Sequence, residues 1–335
     1  MLTRFLAVLG CLVAAAGPAR ADLLAEVTER GYLRCGINEM GPGMATIGAK
    51  GVWSGFYPDI CHAVAAAVTG DARDVEFTSV STGDRFDAVR AGAVDLLAEP
   101  STWTLGRDTS GIDFPVMYMM DGQGLLVRRD SGIETLADLG DGTVCVYKGV
   151  TSLPNLEEER ATRGLDFEIR TFATLESSFM ALYDGMCDAI STDTLIMGSV
   201  LQATAPDPDA YVIPDQRLSK EPLSPVVKAG NPEWTEAVRW VVHALIAAEE
   251  LGVTADNAAD LAETSENAAV RRLLGAEGDF GERLGLDKAW ALRAIQAVGN
   301  YGELYARTLT AEMGLARGRN ALHDEGGLLW APPIR

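Results

Sequence analysis

Basic residues, histidine and cysteine are scarce in this chain of 335 residues, and each shortage excludes a class of function. Lysine and arginine total 28 against 48 aspartates and glutamates, which leaves a formal charge of −20. So acidic a surface argues against nucleic acid or anionic lipid as the main partner. With three histidines, five cysteines and no C-x-x-C spacing, we expect no bound metal.

Catalytic and nucleotide-binding signatures are missing as well. The sequence contains no nucleophile elbow, P-loop, G-x-G-x-x-G run or H-E-x-x-H pair. His62, His243 and His323 fall in helix-like or terminal segments, without an obvious serine or carboxylate partner nearby in sequence. We therefore expect a binding protein rather than an enzyme, and no cofactor.

Long apolar runs are also missing beyond the N-terminus. Residues 1–21 have the parts of a secretory signal: Arg4, a short apolar run from Phe5 to Ala16, and an A-x-A site that ends at Ala21. The run is too short to span a bilayer, and no later segment is long and apolar enough. We expect export to the periplasm, with a lipid anchor at Cys11 in "VLGC" as the alternative.

What the sequence does contain is a regular alternation of strand-like and helix-like segments. One β-α-β-α-β run extends from "YLRCGIN" to "VDLLAE", and a second from "TVCVYKG" to "CDAISTD". This order predicts an α/β fold with two lobes, each with a parallel sheet. We place the first segment of lobe 1 at 22–125 and lobe 2 at 126–218. The return to lobe 1, together with a helical C-terminal extension, is placed at 219–335.

Four cysteines remain after the proposed signal, and an even number in an exported chain favours disulfides. Four cysteines allow three pairings. We favour Cys35–Cys61 and Cys145–Cys187, which would give each lobe one bridge. Four buried free thiols are the alternative.

Hydroxyl and charged side chains gather on loops that follow strands, where ligands bind in open α/β sheets. In "STWTLGRDTS", Arg107 offers a planar fork that matches a carboxylate, and Thr102 and Thr104 offer hydroxyls. Thr151 follows the next lobe's first strand, and Asp193 in "ISTDT" could accept an ammonium. An α-amino acid carries both groups on one carbon.

Each of these residues also has a purely structural interpretation. Arg107 could form a surface ion pair with Asp108 or Asp113, and Asp193 could cap a helix. Placement of the two charges on loops of different lobes favours ligand binding. Asn38, Glu39 and the aromatic residues Trp53, Trp103 and Tyr147 are weaker candidates.

From residue 28 to the C-terminus the chain resembles periplasmic solute-binding proteins of polar amino-acid ABC transporters (solute-binding protein family 3). It is most similar to the general L-amino-acid subfamily. Matching segments include "GVWSGFYPDICHAVAAAV", "DRFDAVRAGAVDLLA", "STWTLGRDTS", "CDAISTD" and "AVGNYGELYAR". The four cysteines also fall where that subfamily has them.

The resemblance implies two α/β lobes joined by two hinge strands, with an L-amino acid bound between them. It assigns Arg107 to the ligand carboxylate with help from Thr151, and Asp193 to the ammonium. Partners would be the ABC permease subunits at the inner membrane, and the protein would be a monomer. Two alternatives share the fold: an exported enzyme similar to cyclohexadienyl dehydratase, and a sensor that has lost transport.

Two departures from the subfamily pattern affect the site. Glu99-Pro100 stands where the pattern has Arg-Asn, and Val150 replaces a threonine before Thr151. If Glu99 points into the cleft, its carboxylate should repel acidic ligands and favour neutral or cationic ones. Alternatively, Glu99 faces solvent or pairs with a nearby base.

Overall fold

The computed structural model describes residues 22–335. The proposed signal sequence, residues 1–21, and the alternative anchor Cys11 lie outside the described residues. None of the helices within 22–335 is long and apolar enough to cross a membrane.

The first lobe is built on a three-stranded parallel sheet in the order β4-β1-β5, in which Cys35 of β1 aligns with Phe77 and Leu96. Its strands are β1 (Leu33–Ile37), β2 (Thr46–Ile47), β3 (Trp53–Ser54), β4 (Val75–Ser79), β5 (Leu96–Leu97), β6 (Ile112–Asp113) and β7 (Met119–Asp121). Its helices are α1 (Leu23–Arg30), α2 (Phe56–Val68), α3 (Arg85–Ala91) and α4 (Leu105–Asp108).

The second lobe contains a five-stranded sheet in the order β10-β9-β11-β8-β12. Its strands are β8 (Gln123–Arg128), β9 (Thr143–Tyr147), β10 (Glu168–Phe172), β11 (Ala189–Asp193) and β12 (Tyr211–Val212); its helices are α5 (Ser152–Arg163), α6 (Leu175–Tyr183) and α7 (Thr194–Thr204). The central strands are parallel, as expected, but β8 and β12 run antiparallel to their neighbours. The boundary that we placed after residue 125 falls inside β8.

Two adjacent strands connect the lobes. β7 leads into the second lobe, and β13 (Glu221–Leu223) returns from it and pairs antiparallel with β7. The returning chain then forms β14 (Val227–Lys228), which pairs with β6. The predicted two-lobed α/β fold with a pair of connecting strands is thereby confirmed.

The remainder is helical. It consists of α8 (Pro232–Glu250), α9 (Ala258–Thr264), α10 (Ala268–Leu273), α11 (Phe280–Arg283), α12 (Trp290–Val298), α13 (Tyr301–Tyr305), a π-helical segment (Ala306–Thr310) and α14 (Ala311–Met313). Short 3₁₀ turns occupy Arg129–Ser131, Leu136–Leu139, Pro208–Ala210, Gly318–Asn320 and His323–Glu325. The apolar stripe of α8, which includes Trp234, Val238 and Leu245, is fully buried, and α12 packs against α2 and α8.

The C-terminal extension also contacts the strands that connect the lobes. The side-chain amide of Asn320 accepts a hydrogen bond from the Met120 backbone N–H at 2.7 Å and donates one to the Met120 carbonyl at 3.0 Å. The Tyr301 hydroxyl donates to the carbonyl of Tyr118 at 2.6 Å. The extension therefore does more than cover the first lobe, because it fixes one connecting strand.

Each lobe has one disulfide. Cys35 of β1 is bonded to Cys61 of α2, with Cα atoms 6.3 Å apart. Cys145 of β9 is bonded to Cys187, just before β11, with Cα atoms 5.9 Å apart. The pairing that we favoured from the sequence agrees with this arrangement, in which each bridge ties a central strand to a neighbouring element.

Candidate functional site

A narrow pocket lies between the lobes, where the loops after β5, β9 and β11 converge. This is the position at which open α/β sheets bind ligands. Both lobes contribute to its wall, which consists of Met40, Thr82, Arg85, Glu99, Pro100, Thr102 and Arg107 from the first lobe and Tyr147, Val150, Thr151, Asp193 and Ile196 from the second.

Arg107 is largely buried in the first-lobe wall. It lies in α4, a short helix that Thr104 caps by accepting a hydrogen bond from the Arg107 backbone N–H. One Nη atom donates to the carbonyl of Thr102 at 2.9 Å, and the guanidinium lies 5.1 Å from the centroid of the Phe86 ring. Other donors of the fork remain for a ligand. No ion pair joins Arg107 to Asp108 or Asp113 in the described structure, so the alternative role as a surface ion pair is not observed.

Burial lowers the pKa of Arg107 to about 10. The neighbouring Arg85 guanidinium acts in the same direction, whereas the carboxylates of Glu221, Asp193 and Glu99 oppose the shift. At neutral pH the side chain therefore keeps its charge. A desolvated guanidinium beside the pocket is well suited to bind a carboxylate.

Asp193 is the last residue of β11, and it lines the same pocket as Arg107 from the side of the second lobe. It occupies the N-cap position of α7, yet its side chain accepts no capping hydrogen bond. The capping role considered from the sequence is therefore not realised. Burial, followed by the nearby carboxylates of Asp121 and Glu221, raises the pKa of Asp193 well above its usual range. A cation placed in the pocket would offset both the burial of the Asp193 carboxylate and its repulsion by Asp121 and Glu221.

Thr151 stands at the start of α5, after a turn in which Gly149 adopts a left-handed φ of 85°. Its hydroxyl donates to an Oε atom of Glu221 at 3.1 Å. Glu221 also accepts hydrogen bonds from Ser219 and Asn155. Thr151 thus connects the pocket to a buried glutamate on β13, and Val150 adds an apolar surface where the subfamily pattern would supply a hydroxyl.

Several candidates from the sequence do not line the pocket. The Thr104 hydroxyl accepts the capping hydrogen bond of α4 and does not line the pocket, so its predicted contact with the ligand stays a prediction. Asn38 and Glu39 lie on an adjoining groove instead. Trp103 stacks on Phe114 at 6.2 Å between centroids, and Trp53 contacts Phe77. Of the three aromatic candidates, only Tyr147 reaches the pocket wall.

Glu99 points inward and pairs with a base, so both alternatives stated for it are realised. Its carboxylate lies 2.8 Å from Nε of Arg85, and both side chains are 3% exposed. Arg85 is the first residue of the short helix α3, and no sequence motif marks it as a pocket residue. Burial raises the pKa of Glu99 to about 7, and the charges of Arg85 and Arg107 oppose this rise.

A broader groove opens from the pocket between the lobes. It has a volume of about 880 Å³ and shares Met40, Thr82 and Tyr147 with the pocket. Apart from Asn38 and Glu39, the groove is bordered by Lys148–Gly149 and by segments near α6 and α7.

The lobes also contact each other directly beside the pocket. The Ser199 hydroxyl on α7 lies 2.8 Å from the carbonyl oxygen of Met40 and 2.9 Å from that of Pro42, both in the first lobe. The backbone N–H of the nearby Gly43 donates to Glu312 of the extension at 2.7 Å. The Ser199 contacts join the two lobes in the conformation that encloses the pocket.

Replacing Ser199 by alanine should weaken ligand binding about fivefold, because a net hydrogen bond contributes roughly 1 kcal/mol to the closed conformation. Titration calorimetry would measure this change. Thr28→Ala, at an exposed position of α1, removes a hydroxyl that bonds to the carbonyl of Leu24; it is the matched control and should leave the affinity unchanged. Equal affinities in wild type and Ser199→Ala would show that this contact does not contribute to closure.

Known proteins resemble this chain along its length. The family model for bacterial extracellular solute-binding proteins, family 3, matches residues 33–256. The glutamate/glutamine/aspartate/asparagine-binding protein BztA of Rhodobacter capsulatus is 41% identical over 96% of this chain and 95% of its own. The general L-amino acid-binding periplasmic protein AapJ of Rhizobium johnstonii is 38% identical over 98% of both chains.

A solved structure agrees with the fold. The ABC transporter periplasmic binding protein of Brucella ovis with glutathione bound has a TM-score of 0.90 and 38% identity, covering 94% of this chain and 100% of that one. With this overall similarity and the match of the family model, the chain belongs to the bacterial extracellular solute-binding proteins, family 3.

Proposed function

We propose that this protein is a periplasmic receptor that binds an L-amino acid between its lobes and delivers it to an ABC permease. The observation that carries the proposal is the pair of opposite charges in one pocket. Arg107 lines it from the first lobe and Asp193 from the second. An α-amino acid presents a carboxylate and an ammonium, the two groups that such a pair of charges can bind.

Binding would proceed by closure of the lobes. Arg107 binds the ligand carboxylate first, and closure brings Asp193 to the ammonium and Thr151 to the carboxylate. Exclusion of water then strengthens each charged contact. Bending at β7 and β13 would permit the movement, and the ligand favours the closed state only by its greater affinity for that state.

The relatives support the ligand class and the partners. BztA and AapJ are named as amino-acid-binding proteins, and AapJ as periplasmic. In the same scheme, the segment 1–21 directs export and is removed. The receptor acts as a monomer and docks its closed lobes on the permease subunits, with no nucleic-acid partner.

A screen of ligands by thermal shift tests the proposal. A subset of L-amino acids should raise the melting temperature with saturation, since a ligand at 100 times its Kd stabilises the native state by about 2.7 kcal/mol. Analogues that lack either the carboxylate or the ammonium should have no effect. An equal shift with a decarboxylated analogue, or no shift with any of the twenty amino acids, would contradict the proposal.

A second ligand class is an amino acid that carries a peptide extension. The groove that opens from the pocket would receive such an extension, and the Brucella ovis relative has glutathione bound. Glutathione contains a γ-glutamyl group with a free α-carboxylate and α-ammonium, which the same two charges would hold. Glutathione therefore belongs in the thermal-shift panel beside the free amino acids.

Catalysis is not part of the proposal. The dehydratase alternative would need a general acid over the ligand, and among the pocket residues Glu99 is the candidate for that role. In the structure the Glu99 carboxylate is held in an ion pair with Arg85 in the pocket wall rather than left free above the ligand. The loss of transport that would make the chain a sensor is likewise not favoured, because both charges of the proposed clamp are present.

A further inference from the structure

Two buried charges in the first-lobe wall are not used by the proposed clamp. Arg85 and Glu99 both line the pocket, and their contact of 2.8 Å joins Nε to Oε1. The Arg85 guanidinium also donates to the carbonyl of Thr82 and lies 4.6 Å from the centroid of the Phe86 ring. The pair comes from α3 and from the loop after β5, so packing of these two elements holds it in place.

This ion pair is incompletely satisfied. The second oxygen of Glu99, Oε2, is buried and has no hydrogen-bond partner in the described structure. Nε of Arg85 is close to Glu99 but its N–H is not directed at the oxygen, so it also lacks a hydrogen bond. A buried carboxylate oxygen without a donor is unfavourable. A ligand that donates a hydrogen bond to Oε2 would remove this cost.

The charges around Glu99 limit the chemistry of that ligand. A cationic side chain would approach the guanidinium of Arg107 as well as that of Arg85, since both act on Glu99. An acidic side chain would meet the Glu99 carboxylate, which already occupies Arg85. An uncharged group with an N–H or O–H donor avoids both repulsions.

We propose that Arg85 and Glu99 determine the side-chain specificity of the pocket. Glu99 accepts a hydrogen bond from an uncharged carboxamide or hydroxyl group of the ligand, and it keeps Arg85 from binding an acidic side chain. This assignment rests on the proposed amino-acid receptor function. Arg85 can then bind an acidic side chain of a ligand only when the neighbouring Glu99 carboxylate is uncharged.

The same geometry predicts an effect of pH. The ionisable groups that face Glu99 are Arg85 on α3, Arg107 on α4, Tyr118, whose hydroxyl donates to the Glu99 carbonyl at 2.8 Å, and Tyr147 and Asp193 across the pocket. Because the pKa of Glu99 is raised to about 7, the carboxylate becomes protonated below that pH. Its negative charge is then lost, and Arg85 becomes available to an acidic ligand.

Titration calorimetry on the purified full-length mature protein tests the assignment with two pairs of probes, glutamine with glutamate and asparagine with aspartate. At pH 8 the wild type should bind the amide of a pair more tightly than the acid. Between pH 8 and pH 6 this preference should fall about tenfold, because the charged fraction of a group with a pKa near 7 falls tenfold. Binding of the acid at pH 8 should take up a proton, measurable in buffers of different ionisation enthalpy.

Glu99→Gln should shift the preference towards the acid by about tenfold at pH 8, as protonation of Glu99 does in the wild type, and remove its pH dependence. In the double variant Glu99→Gln with Arg85→Met, the gain for the acid should disappear. Glu76→Gln, an exposed position on β4, is the matched control and should change nothing.

The outcomes separate this proposal from the receptor function. If the wild type binds amino acids but neither pH nor Glu99→Gln changes the amide-to-acid preference, the assignment of Arg85 and Glu99 is overturned and the receptor function stands. The measurement on the wild type alone decides the question should the variant fail to fold. Absence of binding by any amino acid overturns both.

Discussion

Replacing Arg107 by alanine is expected to abolish amino-acid binding and to leave the fold intact. The variant would bury the ligand carboxylate without a counter-charge, and removal of one partner of a buried ion pair costs about 3–5 kcal/mol. This corresponds to a loss of affinity of more than about 100-fold. The fold should survive because the guanidinium forms one hydrogen bond, to Thr102, and one ring contact, with Phe86.

Calorimetry with the best ligand from the thermal-shift screen would measure the loss, and circular dichroism would verify the fold. Arg107→Lys should recover only part of the affinity, because lysine keeps the charge and loses the planar fork. Arg73→Ala is a suitable control, since the Arg73 side chain is 88% exposed and pairs with Asp71. Binding by Arg107→Ala with nearly wild-type affinity would refute the role of Arg107 in the clamp.

Replacing Asp193 by asparagine should have two large effects of opposite sign. Ligand binding should fall by more than about 100-fold, because the isosteric amide cannot neutralise the ammonium. The unliganded protein should become more stable, because the charged carboxylate is destabilised by burial and by Asp121 and Glu221. In thermal melting, Asp193→Asn without ligand should have a higher melting temperature than the wild type. Addition of ligand should raise that temperature by less than it does in the wild type.

The gain in stability should depend on pH. A carboxyl whose pKa is raised by folding binds more protons in the folded state than in the unfolded state, so stability decreases as the pH rises above its ordinary pKa. In Asp193→Asn this contribution is absent, and the melting temperature of the unliganded variant should exceed that of wild type more at pH 8 than at pH 4. Asp184→Asn, at an exposed position, is the control, and its melting temperature should depend on pH as that of the wild type does. A variant that melts below wild type at pH 8 would contradict this account.

The positions of Arg107 and Asp193 could be predicted from the sequence, because topology determines them. Both residues follow strands of α/β units, and the carboxyl ends of parallel strands in the two lobes face a common cleft. The alternation of segments was sufficient to locate those ends. The disulfide pairing depended in the same way on the location of the strand-like and helix-like segments.

Contacts that depend on side-chain direction could not be predicted in this way. Arg85 lies on a short amphipathic helix, and nothing in its spacing separates a pocket-facing arginine from a solvated one. Glu221 lies on the returning strand, far along the chain from the residues that it affects. Thr104 caps α4, but several serines and threonines of the same loop could have accepted that hydrogen bond, so the sequence did not indicate which one would.

The amide of Asn320 affects where the molecule can bend. Both backbone polar groups of Met120 are occupied by this one side chain, so rotation about that residue would break two hydrogen bonds at once. For the proposed closure of the lobes we therefore expect the bend to lie beyond it, at Asp121 and Gly122 and, on the returning chain, around Ser219. Residues 257–335 lie outside the segment that the family model matches. If the lobes close as proposed, a segment beyond the matched family region would thus restrict bending at one of the two connecting strands.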